Sequence, residues 1–248
     1  MVSFVPEILT TLGPMPITNT LLNTIFVDAI LIGGTFAITK KLSHVPNMMQ
    51  NAIESLLETF YDLTKSVAQN RVAKIFPYCM TFFLFILLAN WSGLLPGVGT
   101  IGFFRGVENE REFVPILRSA TSDINTTLAL ALISAIATHI LSIRLTGIKD
   151  YFSRYFSLNP INLFVGVLEI VSEITKVVSL SFRLFGNIFA GEVVLVTISG
   201  IFAILLPLPF MALEIIVGVV QALVFAMLTM AFMAILTTPH HHAEEVSN

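Results

Sequence analysis

The chain has 248 residues, of which 55% are hydrophobic and only 12% are charged, and its formal net charge is −3. A soluble domain carries about 25% charged residues because its surface faces water, so much of this surface is expected to face lipid. The negative net charge excludes a basic footprint for nucleic acid. The single cysteine, Cys79, allows neither a disulfide nor a thiolate metal site within one chain. We therefore predict an integral membrane protein with no cofactor and no bound metal.

The first third of the chain contains one apolar run and one amphipathic run. After an outside tail, 1–20, a first span is expected at 21–39, because about 20 apolar residues are needed to cross a bilayer. Residues 47–70 carry charges on one helical stripe, at Glu54, Glu58, Asp62 and Lys65. A charged stripe beside an apolar surface predicts a helix that lies at the membrane interface.

The middle of the chain contains two further apolar runs. A second span is expected at 75–95, where Pro96-Gly97 closes it. A polar outer loop, 96–122, separates this span from a third span at 124–143. Both runs have the length that a membrane helix requires.

The last third differs because two long apolar runs follow one another closely. Asn159 and Pro160 suit the N-cap and first position of a helix, and no further proline interrupts the run to residue 199. A helix at 160–199 would be about 60 Å long, roughly twice the hydrocarbon thickness, so it must tilt or bend. With a helix at 210–236 it forms a predicted long tilted hairpin.

We therefore predict an all-α fold with about five membrane helices and one interfacial amphipathic helix. The 248 residues form one membrane domain, which a tail at 237–248 follows. The histidines of that tail, His240–His242, are expected to be solvated.

The distribution of Lys and Arg predicts the orientation, because these residues favour the cytoplasmic side. The tail before the first span has none. The segment between the first two spans carries Lys40, Lys41, Lys65, Arg71 and Lys74. The third span is followed by Arg144, Lys149 and Arg154. We expect the N-terminus and the hairpin turn outside, with the amphipathic helix and the C-terminus inside.

Arg183 lies near the middle of the predicted helix at 160–199, too far from either end to reach the interface easily. A buried arginine there costs about 2.5–3.5 kcal/mol on insertion scales, which favours a functional role over a structural ion pair. Its helical face carries mostly small or polar residues, within about 60°: Lys176, Ser179, Gly186, Asn187 and Ala190. No carboxylate of this chain is expected on that side, so its partner is expected on another chain.

Folding the hairpin brings polar residues of its two helices to similar depths. Glu192 and Glu214 form one expected pair, and Arg183 and Gln221 form the other. Two carboxyl groups close together in a low dielectric cannot both ionise cheaply. At least one is therefore expected to hold a proton, as a proton relay requires; a hydrogen-bonded pair that serves only packing is the alternative.

Two further polar sets lie nearer the ends of the spans. The outer set comprises Asn90, Ser92, Asp123 and Asn125. The inner set comprises Glu169, Glu173 and Lys176. A local salt bridge is an equal alternative for the inner set, because its members are helical neighbours. Together the two sets predict two half-channels that open on opposite sides, with the permanent charge of Arg183 between them.

The segment 179–192 reads SLSFRLFGNIFAGE and closely resembles the signature of subunit a of F-type ATP synthases. The resemblance continues through 90–96, 123–127 and 221–229 and covers nearly the whole chain. It implies a stator channel beside a rotating ring of c subunits, in which the essential charge facing a ring carboxylate is Arg183. The proton path that it implies includes Asn187, Glu192, Glu214 and Gln221.

The same resemblance implies partners and a location. The partners are the c-ring subunits, b-type peripheral stalk subunits and the lipid bilayer, and the chain is not catalytic alone. A bacterial plasma membrane is expected, with an organelle inner membrane as the alternative. Phe182 and Gly93 depart from the commoner residues of the family, since Leu is usual at the first position and some members carry an acid at the second. The alternative function is a secondary transporter in which Arg183 binds an anionic substrate.

Overall fold

A computed structural model describes residues 6–12, 15–40, 42–43, 46–95, 98, 101–105, 112–155, 160–201 and 206–238. Within these ranges the chain forms seven α-helices, two single 3₁₀ turns and two antiparallel two-stranded ribbons. The strands are β1 (Ile8–Leu12), β2 (Met15–Thr18), β3 (Gly102–Arg105) and β4 (Glu112–Pro115). The helices are α1 (Asn19–Lys40), α2 (Met48–Ala68), α3 (Val72–Ser92), α4 (Ile124–Thr146), α5 (Ile148–Tyr155), α6 (Pro160–Ile201) and α7 (Pro207–Leu236).

Five helical segments of the described chain are long and apolar enough to cross a membrane. They are α1, the α2–α3 unit, α4, α6 and α7. The prediction of an integral membrane fold with about five spans and one amphipathic helix is thereby confirmed. The helix cap at Asn159, the Pro96-Gly97 turn and the His240–His242 tail lie outside the described residues.

The helix boundaries follow from local chemistry. Asn47 caps α2, since its side chain accepts a hydrogen bond from the backbone N–H of Gln50 at 2.8 Å. Asp123 caps α4 in the same way. Pro207 starts α7, where its fixed φ suits the first turn. Between α2 and α3 the chain turns at Gln69, whose φ is +46°.

Two features depart from the predicted all-α pattern. The β1–β2 ribbon lies in the expected outside tail, and the β3–β4 ribbon lies in the expected outer loop. Such short hairpins are marginal on their own, and their sequences lack the alternation that predicts strands. The backbone N–H of Asn19 donates to the carbonyl of Glu7 at 3.1 Å, which ties the first ribbon to α1. The short helix α5 was also missed, because eight residues carry a weak helical signal.

The core lies where α3 and α7 cross, with α4 and α6 packed beside them. Ile75 and Ile86 of α3 and Phe225 and Ala226 of α7 have no solvent exposure. The rings of Phe82 and Phe225 lie 5.6 Å apart. This core is formed by apolar side chains of α3, α4, α6 and α7, so it holds the α6–α7 hairpin against the rest of the bundle.

Hydroxyl groups join α4 to the hairpin. Ser134 and Thr229 lie 2.9 Å apart, oxygen to oxygen, and Ser142 donates to the carbonyl of Leu236 at 2.6 Å. In an apolar medium such hydrogen bonds satisfy groups that water cannot reach, and they hold membrane helices together. They fix the second half of α4 to the last turns of α7.

We expect Gly166→Ala to destabilise the chain by about 1–3 kcal/mol, the usual range for overpacking. A methyl group at this position of α6 would overlap the backbone carbonyl of Tyr155, at the end of α5. Backbone cannot move aside as a flexible side chain can. Heating the purified chain in detergent with a maleimide dye measures the effect, because the single thiol, on Cys79, is buried until the helices separate. Gly34→Ala is the matched control, since nothing lies within 4 Å of its added methyl group; equal unfolding midpoints for the two variants would contradict the prediction.

Candidate functional site

Arg183 lies on the exposed face of α6 rather than inside the chain. The expectation of a buried arginine is therefore wrong for the chain by itself. Its guanidinium Nη2 donates to the Oγ of Ser179, one turn earlier on α6, at 3.3 Å. Gly186 and Asn187 are also exposed on this helix, and small neighbours leave the guanidinium open to a partner. The arginine is thus presented at the surface of a membrane-spanning helix.

The polar pair across the hairpin differs from the one predicted. Asn187 donates through Nδ2 to the Oε1 of Gln221 at 2.7 Å, whereas Arg183 was expected opposite Gln221. Asn187 lies one turn after Arg183 on α6. The residue of α6 opposite Gln221 is therefore one helical turn closer to the hairpin turn than the prediction placed it. Gln221 itself is buried. This hydrogen bond closes the space between α6 and α7 next to Arg183.

An outer cavity of about 380 Å³ opens beyond that pair. The Glu192 and Glu214 side chains both line it, as does the predicted Asn90. Sequence reasoning missed Arg118, which also lines this cavity and forms an ion pair with Glu192, Nε to Oε1, at 3.1 Å. The hairpin thus brings the two predicted carboxyl groups to one cavity, but with an arginine attached to one of them.

Two glycines shape this cavity. The carboxyl group of Glu214 lies directly on Gly191 of α6, in space that any side chain at residue 191 would fill. Gly218 of α7 allows Asn90 of α3 to approach closely, so that Asn90 Nδ2 donates to the Gly218 carbonyl at 3.0 Å. Thr121 completes the arrangement by donating to Asn90 Oδ1 at 2.7 Å. The side chains of Glu214 and Asn90 are therefore held in defined positions.

The other three members of the predicted outer set lie in a network beside α1 rather than in the described lining of the cavity. Ser92 accepts from Asn23 Nδ2 at 2.7 Å. Asp123 accepts from Thr20 Oγ1 at 3.2 Å and from the backbone N–H of Asn125 at 3.0 Å. The Asn125 side chain is exposed. These contacts attach α1 to α3 and α4; the polar residues within the first apolar span were the signal that could have indicated them.

A second, inner cavity of about 430 Å³ adjoins Arg183 on its other side. Lys176, from the predicted inner set, lines it together with Ser172, Ser179 and Arg183. Lys176 Nζ forms an ion pair with Glu173 Oε1 at 2.7 Å. The cavity therefore contains two cationic side chains.

The remaining inner residues lie in ion pairs near this cavity. Glu169 pairs with Arg154 of α5, oxygen to Nε, at 3.4 Å. Glu173 approaches His139 Nε2 at 3.9 Å, and the other ring nitrogen of that histidine lies 3.0 Å from the hydroxyl of Tyr151. Neither His139 nor Tyr151 was a predicted site residue, because each is isolated in its own segment of the sequence. Part of the inner set is thus a set of salt bridges that joins α4, α5 and α6.

The order of these features along α6 is the main property of the site. The inner cavity is lined by residues 168–183 of this helix, and the outer cavity by residues 188–199. The Asn187–Gln221 hydrogen bond lies between them. Two cavities, each large enough for several waters and lined by apolar groups with a few polar ones, are therefore offset along one helix. Arg183 lines the inner cavity, and the Asn187–Gln221 pair lies between the two sets of α6 lining residues.

Known proteins resemble this chain over most of its length. The sequence profile of the ATP synthase A chain family matches residues 21–234. The chain belongs to this family. Among similar proteins is ATP synthase subunit a of Moorella thermoacetica, 34% identical over 223 residues, which are 90% of this chain and 92% of that protein. ATP synthase subunit a of Gloeobacter violaceus is 40% identical over 239 residues, 93% of this chain and 89% of that protein.

Membership of the ATP synthase A chain family confirms the resemblance that the segment around Arg183 indicated. The match overlaps every candidate membrane-spanning segment of the described chain. It places the chain among membrane proteins of ATP synthesis and ion transport, a class that agrees with its five apolar helical segments.

Proposed function

We propose that this chain is the proton-translocating stator subunit of an F-type ATP synthase membrane sector. It provides two offset half-channels to a ring of c subunits, with Arg183 between them. The observation that carries this proposal is the exposed Arg183 on α6, next to the inner cavity and one turn from the outer cavity. An arginine exposed at the middle of a membrane helix is too costly to leave uncovered, so another chain must cover it.

In the proposed mechanism a proton enters through the outer cavity, where Asn90, Glu192 and Glu214 provide polar groups. It passes the Asn187–Gln221 pair and neutralises a carboxyl group of the c-ring, which can then move into lipid. Rotation brings that carboxyl group to the other side of Arg183. There the proton leaves through the inner cavity, towards Lys176, Glu173 and Glu169.

Arg183 has two tasks in this mechanism. Guanidinium keeps its proton at any ordinary pH, so it cannot pass protons directly from one cavity to the other. It also attracts each ring carboxylate that has lost its proton, which prevents a charged group from rotating into lipid. Each proton that crosses the membrane yields about 2.3 kcal/mol per 100 mV. Several protons must therefore be coupled to each ATP, and a ring of carboxylates supplies them.

The chain is proposed as a non-catalytic component of the complex. Its sequence has no glycine-rich GxxxxGK[ST] phosphate loop, so ATP formation is assigned to other subunits. The c-ring is proposed to cover the face of α6 that carries Arg183, where Ser179 and Gly186 are also exposed. Lipid and b-type peripheral stalk subunits are proposed to cover other apolar faces, such as that of α1, where Ile32 is 72% exposed.

The proposed orientation places the N-terminus and the hairpin turn outside, with α2 and the C-terminus inside. The distribution of Lys and Arg supports this orientation. The outer cavity then faces the side from which protons enter during synthesis. A bacterial plasma membrane is proposed as the location, with an organelle inner membrane as the alternative.

The continuity of α6 disfavours the alternative of a secondary transporter. Such proteins usually bind substrate where a helix is broken, so that helix ends and free backbone groups contact the ligand. Here α6 is one helix over Pro160–Ile201, with Arg183 in its interior. Arg183 therefore has no unwound backbone beside it to complete an anion site.

Cysteine labelling in the intact complex tests the two half-channels. In a Cys79→Ala background, Ser199→Cys in the outer cavity is expected to react with a membrane-impermeant maleimide from outside only. Ser172→Cys in the inner cavity is expected to react from inside only, and reaction at either site should slow ATP-driven acidification of sealed vesicles. Both serines are exposed on α6, so both substitutions are sterically mild.

The lipid-facing Gly34→Cys serves as the control, because its surroundings in the chain are open and a thiol in lipid does not ionise. It should react from neither side. Labelling of both cavity positions from the same side would rule out offset half-channels.

A further inference from the structure

Arg118 holds Glu192 with both ends of its guanidinium fork. Its Nε lies 3.1 Å from Oε1 and 3.4 Å from Oε2, and its Nη2 lies 3.3 Å from Oε2 of the same carboxylate. The Arg118 side chain is only 8% exposed, and that of Glu192 is 28% exposed. A two-pronged, charge-assisted contact of this kind fixes the carboxylate in position.

Glu214 has a different environment in the same cavity. Glu214 is 7% exposed, and its carboxyl group lies against the backbone at Gly191. The charged side chains on the described lining of the cavity are Arg118, Glu192 and Glu214, while the neutral polar ones include Asn90, Ser119 and Ser199. Among the described residues Glu214 therefore has no cation of its own.

The described charges that line this cavity do not balance. The two carboxyl groups of Glu192 and Glu214 share one guanidinium, that of Arg118, in a partly enclosed region lined mainly by apolar groups. An uncompensated buried charge is costly. Because the guanidinium contacts Glu192, Glu214 is the acid without a cation in the described lining of the cavity.

We propose that Arg118 is a positioning residue of the outer half-channel. It keeps Glu192 as a fixed anion and so makes Glu214 the carboxyl group that exchanges protons with the ring. This inference rests on the proposed function and deepens it, because it gives the two glutamates of the path different tasks. Glu192 attracts the incoming proton electrostatically, and Glu214 accepts it and passes it on.

Substitutions in the intact complex, reconstituted in sealed vesicles, test this division. Arg118→Gln leaves Glu192 as a second uncompensated acid, which competes with Glu214 for each proton. ATP-driven acidification per assembled complex is expected to fall about tenfold, because removing one partner of a buried ion pair leaves the other charge uncompensated. Arg118→Lys keeps the charge but loses the fork, so its rate should lie between those of the unsubstituted complex and Arg118→Gln.

The decisive variant combines Arg118→Gln with Glu192→Gln. Neutralising both partners removes the competing acid, and replacing both members of a buried pair is much milder than removing one. The double variant should therefore pump several times faster than Arg118→Gln alone. Glu214→Gln should lose about a hundredfold or more in every background, as expected for a group that transfers protons.

The outcomes separate this inference from the proposed function. A double variant as slow as Arg118→Gln, or a Glu214→Gln variant that pumps while Glu192→Gln does not, would overturn the assignment to Glu214 and leave the half-channels intact. A purely structural Arg118 would lower the amount of assembled complex and leave the rate per complex unchanged, which also overturns the inference. If Arg183 variants pump normally as well, it is the proposed function that fails.

Discussion

Replacing Arg183 with alanine is expected to abolish ATP-driven acidification of sealed vesicles and to increase passive proton leak. The loss should be about a hundredfold or more, the size found when a preorganised charge is removed from a reacting centre. The leak follows from the geometry, because the inner cavity reaches Arg183 and the outer cavity begins one turn beyond it. Without the cation, no charged side chain of α6 remains between residue 183 and Ile188 of the outer cavity, and the Asn187–Gln221 hydrogen bond is a neutral contact.

Arg183→Lys is expected to lose pumping with less leak. Lysine keeps a positive charge, but it is a compact point charge that can release its proton in an apolar setting. The measurement compares dye-reported acidification on ATP addition with proton leak after a potential is imposed. Arg144→Ala is the matched control, since Arg144 is an exposed arginine at the end of α4, and it should pump normally. Normal pumping by either Arg183 variant would make that arginine structural and the mechanism wrong.

Gly191→Ala is expected to slow ATP-driven acidification about a hundredfold, since small displacements of a reacting group have effects of this size. The added methyl group would occupy the space of the Glu214 carboxyl group. Because Glu214 is held between α6 and α7, the carboxyl group must leave the cavity or the helices must separate. Either change removes it from the proposed proton path while every ionisable residue remains present.

Gly200→Ala provides the control on the same helix, because its added methyl group has nothing within 4 Å. It should pump at the unsubstituted rate, and both variants should assemble in equal amounts. Assembly is measured on native gels and pumping in the same vesicles. A Gly191→Ala complex that assembles and pumps normally would show that the position of the Glu214 carboxyl group is not important.

The membrane helices could be predicted from sequence because their signal is local and strong. Each apolar run is long enough to span a bilayer, and a single arginine in such a run stands out. The hairpin also follows from sequence, since only a few residues separate α6 from α7. Glu192 and Glu214 lie at similar distances from that turn and both line the outer cavity, while their role as a proton-sharing pair stays a prediction.

The contacts that depend on distant segments could not be predicted. Arg118 lies 74 residues before Glu192, in a segment without regular structure, so no periodicity connects them. The Arg183–Gln221 pairing was wrong by one helical turn, because the exact register of a hairpin depends on how its side chains pack. Thr20 and Asn23 join the outer network through contacts with Asp123 and Ser92 that are also long in sequence.

Because α6 is one continuous helix, it fixes the distances between the site residues that it carries. Its 42 residues extend about 63 Å at 1.5 Å per residue. Lining residues of both cavities belong to this helix. Arg183 and Glu192 are therefore separated by a height that the peptide backbone alone sets, about 13 Å. Deleting one residue between them would turn the outer cavity by about 100° relative to the arginine. The axial distance between Arg183 and Glu192 is thus set by the number of residues between them in α6.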